Sequence, residues 1–545
     1  MNSFNITEYL KDRARDSGDQ PAIIIPKGKG TNFKQTSYHE LDLYSDSYGD
    51  FLLKRGVRSG EKVLVMVRPG LELIGIAFAL LKKGIVPILI DPGMGLKPFI
   101  DCVGRTRPDY LIGITPALLL SKFFRNAFSS IKGSFWVREG CLKKTFESDL
   151  TFTPKSVLDA KENQLAAILF TSGSTGPAKG VCYTYGLFSS QIDLVRNQFG
   201  IQKGEVDLPM LPIFALFNPA LGMTTVVPPM NPSKPAKSNA SLIVQTIQSI
   251  GVTNSFGSPV LWNKINDYCE QNNQVLPSIR RVLIAGAAVS RDLVQSLKEK
   301  LPNGDIYTPY GATECLPVCG ISHKEILKRE VNVGLGTLLG RPLDGIFVKV
   351  IEPVNGEIDT ISDVQELGCS EVGEIIVKGP IVTQEYYQLP DVTRVSKIKE
   401  GSSFWHRIGD LGYLDTEGFL WFAGRKVERV ITDKKTYYPD FVEKFMNTHE
   451  WVYRSALLKY KKGKRWVPAI GIELRDFSMI KKRGCLELRN SLLSFLEGSE
   501  FTSDIKYLFF WKSFPVDVRH NAKIHRIAMS KQLEDPKWTD RDFIV

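Results

Sequence analysis

Residues 165–180 read LAAILFTSGSTGPAKG, an apolar run followed by a loop of small, hydroxylated and glycine residues that closes on a lysine. The apolar run predicts a buried strand. In the loop, glycines let backbone N–H groups approach a polyphosphate, Ser and Thr hydroxyls add donors, and the lysine adds a positive charge. The P-loop pattern does not fit, since it needs four residues between its first glycine and a Gly-Lys-Ser/Thr ending. A flexible surface turn is the alternative interpretation. The candidate phosphate-binding residues are Thr171, Ser172, Gly173, Ser174, Thr175 and Lys179.

The whole chain has the composition of a globular protein. It has 545 residues, of which 43% are apolar and 24% charged, and this length favours more than one domain. Residues 1–19 lack the apolar centre of a signal peptide, and no apolar run reaches the about 20 residues that span a bilayer. Eight cysteines without a regular framework suit a reducing compartment. We therefore expect a cytoplasmic protein without a transmembrane segment.

The charge balance is basic, with 70 Lys and Arg against 59 Asp and Glu, giving a net charge of +11. Such a balance suits nucleic acid, an anionic membrane surface or lysine-rich solvated faces. No nucleic-acid-binding motif adjoins the basic runs at 459–465 and 481–483. We therefore interpret the basic residues first as solvated faces, and second as a site that docks an acidic partner such as another enzyme of the same pathway. We expect no binding of nucleic acid.

The pattern of apolar segments predicts an α/β fold. Strand, helix and strand patterns at 62–67, 72–83 and 85–90 indicate a parallel sheet, and a similar alternation recurs from residue 240. From Ser370 onward, short strands and turns predict a β-rich lobe. The segments after Arg425 predict a small α+β domain. We therefore expect a large layered α/β N-terminal domain over 1–424 and a small C-terminal domain over 425–545.

Six segments in order resemble motifs of the adenylate-forming superfamily, which includes acyl-CoA synthetases, luciferases and peptide-synthetase adenylation domains. They are residues 171–180, YGATE at 310–314, GEIIVKG at 373–379, RIGDLG at 407–412, FAGRK at 422–426 and NAKIHR at 521–526. The resemblance implies ATP and Mg²⁺ as cofactors and activation of a carboxylate as its adenylate. It also implies that the small domain rotates about a hinge near Arg425.

Further segments are similar to the OleC group of β-lactone synthetases from bacterial olefin biosynthesis. They are residues 207–222, 256–259, 308–317 and 515–524. This resemblance implies that a 2-alkyl-3-hydroxy fatty acid and ATP are converted into a β-lactone, AMP and pyrophosphate. A fatty acyl-AMP or acyl-CoA ligase is the alternative, and an inactive nucleotide-binding scaffold is a second.

The resemblance assigns roles at the nucleotide. Glu314 is the expected magnesium ligand, since a hard divalent ion prefers carboxylate oxygen; a carboxylate that stabilises a helix N-terminus is the alternative. Asp410 is expected to bind the ribose hydroxyls, with Arg425 donating to sugar and phosphate. Lys523 is the expected catalytic lysine, which neutralises charge that develops on the phosphate. Further expected nucleotide contacts are Tyr310, Gly311, Ala312, Thr313, Gly286 and Ala287, although tight helix–sheet packing also explains the last two.

Two departures from the superfamily bear on the second step of the reaction. Val427 stands where thioester-forming relatives usually carry Asp or Lys, and residues 431–438 lack the glycine that lets a pantetheine arm pass. Coenzyme A is therefore disfavoured, and the substrate's own 3-hydroxyl is the expected nucleophile. His520 is a candidate base for that hydroxyl, with a structural or AMP-contacting histidine as the alternative. Phe214, Phe217, Met223, Phe256 and Gly257 are candidates for an acyl tunnel, although aromatics at such spacing also form cores.

Overall fold

The computed structural model describes residues 4–27, 32–148, 157–170, 177–231, 234–329, 335–516 and 523–535. They form two compact units. The first unit comprises 1–323, 343–346 and 379–395, and the second comprises 324–342, 347–378 and 396–545. The chain passes from the first to the second within the helix His323–Lys328. The predicted domain boundary near Arg425 stays a prediction.

The first sheet of the first unit has six strands, parallel except for the last, which is antiparallel to its neighbour. In spatial order they are Gly133–Trp136, Tyr110–Gly113, Lys62–Met66, Val86–Leu89, Leu165–Phe170 and Gly180–Thr184. The helices that accompany them are Tyr38–Lys54, Leu71–Lys82, Leu96–Thr106, Thr115–Phe123, Cys141–Ser148 and Tyr185–Phe199. The parallel strands predicted on either side of residues 72–83 are confirmed, because Lys62–Met66 pairs in parallel with Val86–Leu89.

A second set of strands in this unit is also mainly parallel. In spatial order they are Cys315–Ser322, Asp305–Ala312, Arg281–Ile284, Asn254–Gly257, Val206–Pro209, Thr224–Val226, Pro21–Lys27 and Asn32–Ser37, and the two end pairs are antiparallel. The helices are Thr7–Ser17, Asn218–Leu221, Ala240–Ile250, Pro259–Gln271, Arg291–Lys300 and Pro390–Ser396. Single 3₁₀ turns lie at Pro92–Met94, Pro212–Leu216 and Pro235–Lys237.

The second unit contains an antiparallel sheet and a smaller mixed sheet. The antiparallel strands are Phe347–Ile351, Gly373–Lys378, Ser403–Leu414, Leu420–Arg425 and Thr337–Pro342, with Lys397–Glu400 paired to the third. The mixed sheet contains Val452–Lys462, Arg465–Leu474 and Tyr507–Trp511, and Val430–Ile431 pairs with Thr436–Tyr437. The helices are Pro439–Met446, Met479–Arg483, Cys485–Leu496 and Arg526–Gln532, and 3₁₀ turns lie at Ile361–Asp363 and Lys426–Glu428.

Both units have apolar interiors, and the predicted α/β class is confirmed. In the first unit, side chains such as Leu41, Phe78 and Ile112 pack between the helices and the six-stranded sheet. In the second, Leu457, Ile470 and residues of Cys485–Leu496 form a separate core. Within the described ranges, no helix is both long enough and apolar enough to cross a membrane.

Candidate active site

Lys179 lies next to Tyr386, a residue that also contacts Glu314. The predicted strand Leu165–Phe170 is confirmed, and it pairs antiparallel with Gly180–Thr184. Thr171, Ser172, Gly173, Ser174 and Thr175 lie outside the described residues. The Lys179 amine is 4.9 Å from the centroid of the Tyr386 ring. A cation over an aromatic face at this distance is electrostatically attracted to the ring.

Glu314 lies in a two-residue turn, because Ala312 pairs with Cys315 across the antiparallel strands on either side. Its carboxylate accepts a hydrogen bond from the Tyr386 hydroxyl, with 2.7 Å between Oη and Oε1. The turn is also held by its backbone: the Thr313 carbonyl accepts from the Tyr183 hydroxyl at 2.6 Å, and the Glu314 carbonyl accepts from the Thr383 N–H at 2.8 Å. Hydrogen bonds to both the side chain and the backbone of the turn therefore hold the Glu314 carboxylate in one orientation.

The segment 382–387 connects the surroundings of Lys179 with those of Glu314. Tyr386 pairs with Val181, just after the loop that ends in Lys179, and Val382 pairs with Cys315, just after Glu314. Tyr386 is only 5% exposed, so its ring and hydroxyl are fixed by packing. No local pattern in the sequence specifies this role, because a tyrosine in a loop carries no mark of the residue it reaches across the fold. The contact is visible only in the tertiary structure.

One edge of the mainly parallel sheet gathers further predicted residues. Asn254–Gly257, Arg281–Ile284 and Asp305–Ala312 are parallel neighbours, so Gly257, Gly286 and Tyr310 lie near the same carboxyl-terminal edge. Ligands in open α/β sheets bind at such edges. Gly286 has φ +96°, a conformation that favours glycine, and Ala287 follows it half-buried.

Gly311 lies where only glycine fits. A Cβ atom there would meet the Cys315 carbonyl oxygen at 2.6 Å, so any larger residue would displace the turn that carries Glu314. Its neighbours Tyr310, Ala312 and Thr313 are half-buried. The end of this strand is therefore packed closely against the strand that follows it.

The candidate acyl residues form one apolar cluster. The rings of Phe214 and Phe256 stack with centroids 3.8 Å apart, and Phe214 and Phe217 are 6.3 Å apart. Met223 is 2% exposed and belongs to the same core cluster. A Cβ atom on Gly257 would lie 2.6 Å from Cε of Met210. The structure thus brings these side chains together within the first unit's hydrophobic core.

A buried carboxylate anchors the segment that carries these aromatics. Asp207 is 2% exposed and accepts hydrogen bonds from the Asn218 and Asn254 side-chain amides at 2.8 and 2.6 Å. The Asn218 amide also donates to the Thr225 hydroxyl at 3.1 Å. Burial raises the pKa of Asp207 to about 7, although the two amide donors oppose the shift. The network fixes the start of the helix Asn218–Leu221, directly after Phe217.

In the second unit, Asp410 and Arg425 face each other across two paired strands. Their side chains form an ion pair of 2.8 Å; the Asp410 side chain is 4% exposed and that of Arg425 is 32% exposed. The next residue, Lys426, is 2.6 Å from Glu374, and burial lowers its pKa although Glu374 opposes this. The predicted hinge segment therefore begins with two ion pairs to the antiparallel sheet.

Lys523 belongs to a segment that is tied to the same unit. The following residue, Ile524, pairs with Val516, and Lys523 itself is half-buried. Arg526 donates to both oxygens of Glu443 at 2.6 Å each and forms a 3.1 Å ion pair with Glu428. This half-buried guanidinium thus holds the lysine segment against the helix Pro439–Met446 and the 3₁₀ turn Lys426–Glu428.

The structure leaves untested the predictions that concern the second step of the reaction. His520 lies outside the described residues, so its role as a base stays a prediction. Val427 and Ile431 are 50% and 55% exposed. The disfavoured use of coenzyme A likewise stays a prediction.

A comparison with known families matches residues 10–387 to the AMP-binding enzyme family. The chain belongs to this family. It is 38% identical over 539 residues, 96% of each chain, to the olefin beta-lactone synthetase of Xanthomonas campestris pv. campestris. It is also 36% identical over 540 residues, again 96% of each, to the enzyme of that name from Stenotrophomonas maltophilia.

The fold is also that of solved structures. The O-succinylbenzoate coenzyme A synthetase of Bacillus subtilis, in complex with ATP and a magnesium ion, superposes with a TM-score of 0.75. The alignment covers 97% of this chain and 99% of that one at 21% identity. At this identity the likeness establishes the fold alone.

The residues present fit a magnesium ion bound together with a nucleotide. Magnesium in nucleotide sites is usually held by one or two carboxylates, with phosphate oxygens and water completing its shell. Glu314 provides one oriented carboxylate, and the parts of the chain described above contain no group of three or more His, Cys, Asp or Glu that resembles an all-protein metal site.

Proposed function

We propose that this protein converts a 2-alkyl-3-hydroxy fatty acid and ATP into a β-lactone, AMP and pyrophosphate. The observation that carries the proposal is the 38% identity to an olefin beta-lactone synthetase over 96% of both chains. An identity of this size over both units is more than the AMP-binding family alone requires, since that family matches only residues 10–387.

The first step joins two anions, and the chain offers cations and an oriented carboxylate for it. A carboxylate oxygen of the substrate attacks the α-phosphorus of ATP, the bond to the β-phosphate oxygen breaks, and pyrophosphate leaves. Catalysis of such a step consists mostly of positioning and charge neutralisation. Glu314 would hold the magnesium ion, which neutralises phosphate charge when bound. Lys179 supplies a further positive charge in the same unit.

The family resemblance assigns the remaining roles to Asp410, Arg425 and Lys523. Asp410 would accept hydrogen bonds from the ribose hydroxyls, and Arg425 lies beside that carboxylate in a 2.8 Å ion pair. Lys523 would neutralise the charge that develops on the α-phosphate in the transition state. Arg526 supports that role by anchoring the lysine segment through Glu443 and Glu428.

In the second step the substrate attacks itself. The 3-hydroxyl oxygen attacks the carbonyl carbon of the acyl adenylate, a four-membered ring closes, and AMP leaves with the bonding electrons of the acyl–phosphate bond. The hydroxyl proton passes to a base, for which His520 and the leaving phosphate are the candidates. Because the nucleophile is already tethered to the carbonyl, its effective concentration is high and no second substrate is required.

The aromatic cluster of Phe214, Phe217 and Phe256 is the candidate acyl site. Its rings form an apolar surface within the first unit, and the Asp207 network holds the adjoining helix in place. Aliphatic chains bind to such surfaces through loss of apolar area from water. Met223 and Gly257 pack in the same region.

Mass spectrometry of the products from a synthetic 2-alkyl-3-hydroxy acid with ATP and Mg²⁺ tests the proposal. We expect β-lactone and AMP in equal amounts, with or without coenzyme A. If the acyl adenylate accumulates without lactone, the protein is an acyl-AMP ligase. If no AMP forms with any fatty acid, the inactive scaffold is the correct interpretation.

A further inference from the structure

A basic hairpin tip projects from the second unit. Residues 461–466 read KKGKRW and join the strands Val452–Lys462 and Arg465–Leu474. Lys462 pairs with Arg465, so the connection is a two-residue turn, and its first residue, Gly463, has φ +62°. A glycine with positive φ at this position is typical of a type II′ turn. A Cβ atom on Gly463 would meet nothing within 4 Å, so the turn is surrounded by solvent.

The tip carries positive charge that is not paired with any carboxylate of the described residues. Lys461, Lys462, Lys464 and Arg465 are all exposed. Across the described ranges, none of the four has an ion-pair partner, and the acidic side chain of this hairpin, Glu473, is paired with Arg454 at the opposite end. Surface cations are ordinarily interspersed with acidic residues, so an unbalanced group of four creates a local positive potential.

Aromatic side chains accompany these charges. Trp466 is 42% exposed, with the Lys461 amine 5.9 Å from its ring centroid. Lys462 donates a hydrogen bond to the Tyr507 hydroxyl and lies 5.0 Å from that ring. Tyr507 in turn packs against Tyr460 with centroids 5.2 Å apart. An exposed indole with tyrosine hydroxyls and flexible lysines beside it is the combination found at membrane–water interfaces.

We propose that this tip binds the headgroups of an anionic lipid bilayer. Lysines near an anionic surface each add a modest attraction that falls off within a Debye length, and an interfacial tryptophan adds apolar contact. Four cations and one tryptophan thus give weak, reversible binding, not insertion. The choice of lipid as partner rests in part on the proposed function, because an acid with two alkyl chains partitions into bilayers and would be delivered there.

The test uses the full chain and vesicles of phosphatidylcholine with about one third phosphatidylglycerol, followed by flotation at low and high salt. The variant K461Q/K462Q/K464Q/R465Q removes the tip charges and keeps Trp466. The matched control is K481Q/K482Q/R483Q, which removes a second basic run, in the helix Met479–Arg483, where Lys482 pairs with Asp476 at 3.1 Å.

We expect the lipid concentration for half-maximal binding to rise at least about tenfold for the tip variant and to change less than about twofold for the control. Trp466→Ala should weaken binding by a similar factor at each salt concentration at which the wild type binds, since its contribution is apolar. Vesicles of phosphatidylcholine alone, or about 0.5 M salt, should abolish binding of the wild type.

Lactone formation from detergent-dispersed acid separates this proposal from the proposed function, because the tip variant should retain it fully. The proposal is overturned if the tip variant floats like the wild type, or if the control loses as much binding. It is also overturned if the wild-type protein does not float with anionic vesicles and the tip cations bind an acidic protein or a polynucleotide instead.

Discussion

Replacement of Tyr386 by phenylalanine separates two contacts that one side chain makes. The ring remains, and with it the contact to the Lys179 amine at 4.9 Å. The hydroxyl is lost, and with it the 2.7 Å hydrogen bond to Glu314. Since Glu314 is the proposed magnesium ligand, the variant leaves the ligand in place but no longer fixes its orientation.

The size of the effect follows from the kind of bond removed. A hydrogen bond to a charged group contributes about 1.5–3 kcal/mol, and about 1.4 kcal/mol corresponds to a factor of ten. Loss of a group that orients a metal ligand typically costs about 10–100-fold in metal affinity or activity. We therefore expect the Mg²⁺ concentration for half-maximal adenylation to rise about 10–100-fold, while the maximal rate at saturating Mg²⁺ falls much less.

Pyrophosphate release at varied Mg²⁺ and saturating ATP and acid measures this shift. Tyr387→Phe is the matched control, because among the described residues that hydroxyl accepts a hydrogen bond only from the exposed Gln388 side-chain amide, at 3.4 Å. Thermal unfolding of both variants checks that the fold is retained. If Tyr386→Phe lowers the rate equally at every Mg²⁺ concentration, or if Tyr387→Phe behaves identically, the positioning of Glu314 by Tyr386 is refuted.

Three further substitutions test other parts of the account. Lys523→Ala should lower pyrophosphate release about 100-fold or more while calorimetry shows little change in ATP affinity, because the lysine acts mainly in the transition state; release at the wild-type rate contradicts its role. Asp410→Asn should weaken AMP binding about tenfold, since a charge-assisted contact is lost, and unchanged affinity in the same titration would make Asp410 structural. Asp207→Asn tests the raised pKa of about 7. In the wild type, the stabilising contribution of the protonated Asp207 carboxyl should be lost as pH rises from about 4 through 7, because the folded state holds this proton to higher pH than the unfolded state does. Denaturant titrations should therefore show that, between pH 5 and 8, the free energy of unfolding of the variant rises by about 2–3 kcal/mol relative to that of the wild type. A difference that does not depend on pH would exclude this titration.

Local sequence patterns predict individual elements of this fold well. The apolar run before the glycine loop is the strand Leu165–Phe170, and the amphipathic run at 240–250 is the helix Ala240–Ile250. In both cases the residues that bound the element are adjacent in the chain. The segment 407–412 shows the limit of such patterns, because it lies inside the twelve-residue strand Ser403–Leu414, where glycines would suggest a turn.

The site is less predictable because its contacts join distant parts of the chain. The motif around Glu314 identifies a candidate ligand, but its hydrogen-bond donor is 72 residues away in sequence. Asp207 likewise accepts a hydrogen bond from Asn254, which lies 47 residues further along the chain. Such partners are selected by strand order and packing, which no local periodicity encodes. The grouping of residues 324–342 and 347–378 with the C-terminal part of the chain has the same origin.

Comparison of a 3-hydroxy acid with its 3-deoxy counterpart is the most direct test of lactone formation. With ATP and Mg²⁺, the hydroxy acid should yield lactone and AMP continuously, and coenzyme A should change neither product nor rate. The deoxy acid should be adenylated without forming any ring, so turnover should stall or proceed only through slow hydrolysis. Rapid formation of a coenzyme A thioester from the deoxy acid would contradict the account and identify an acyl-CoA ligase.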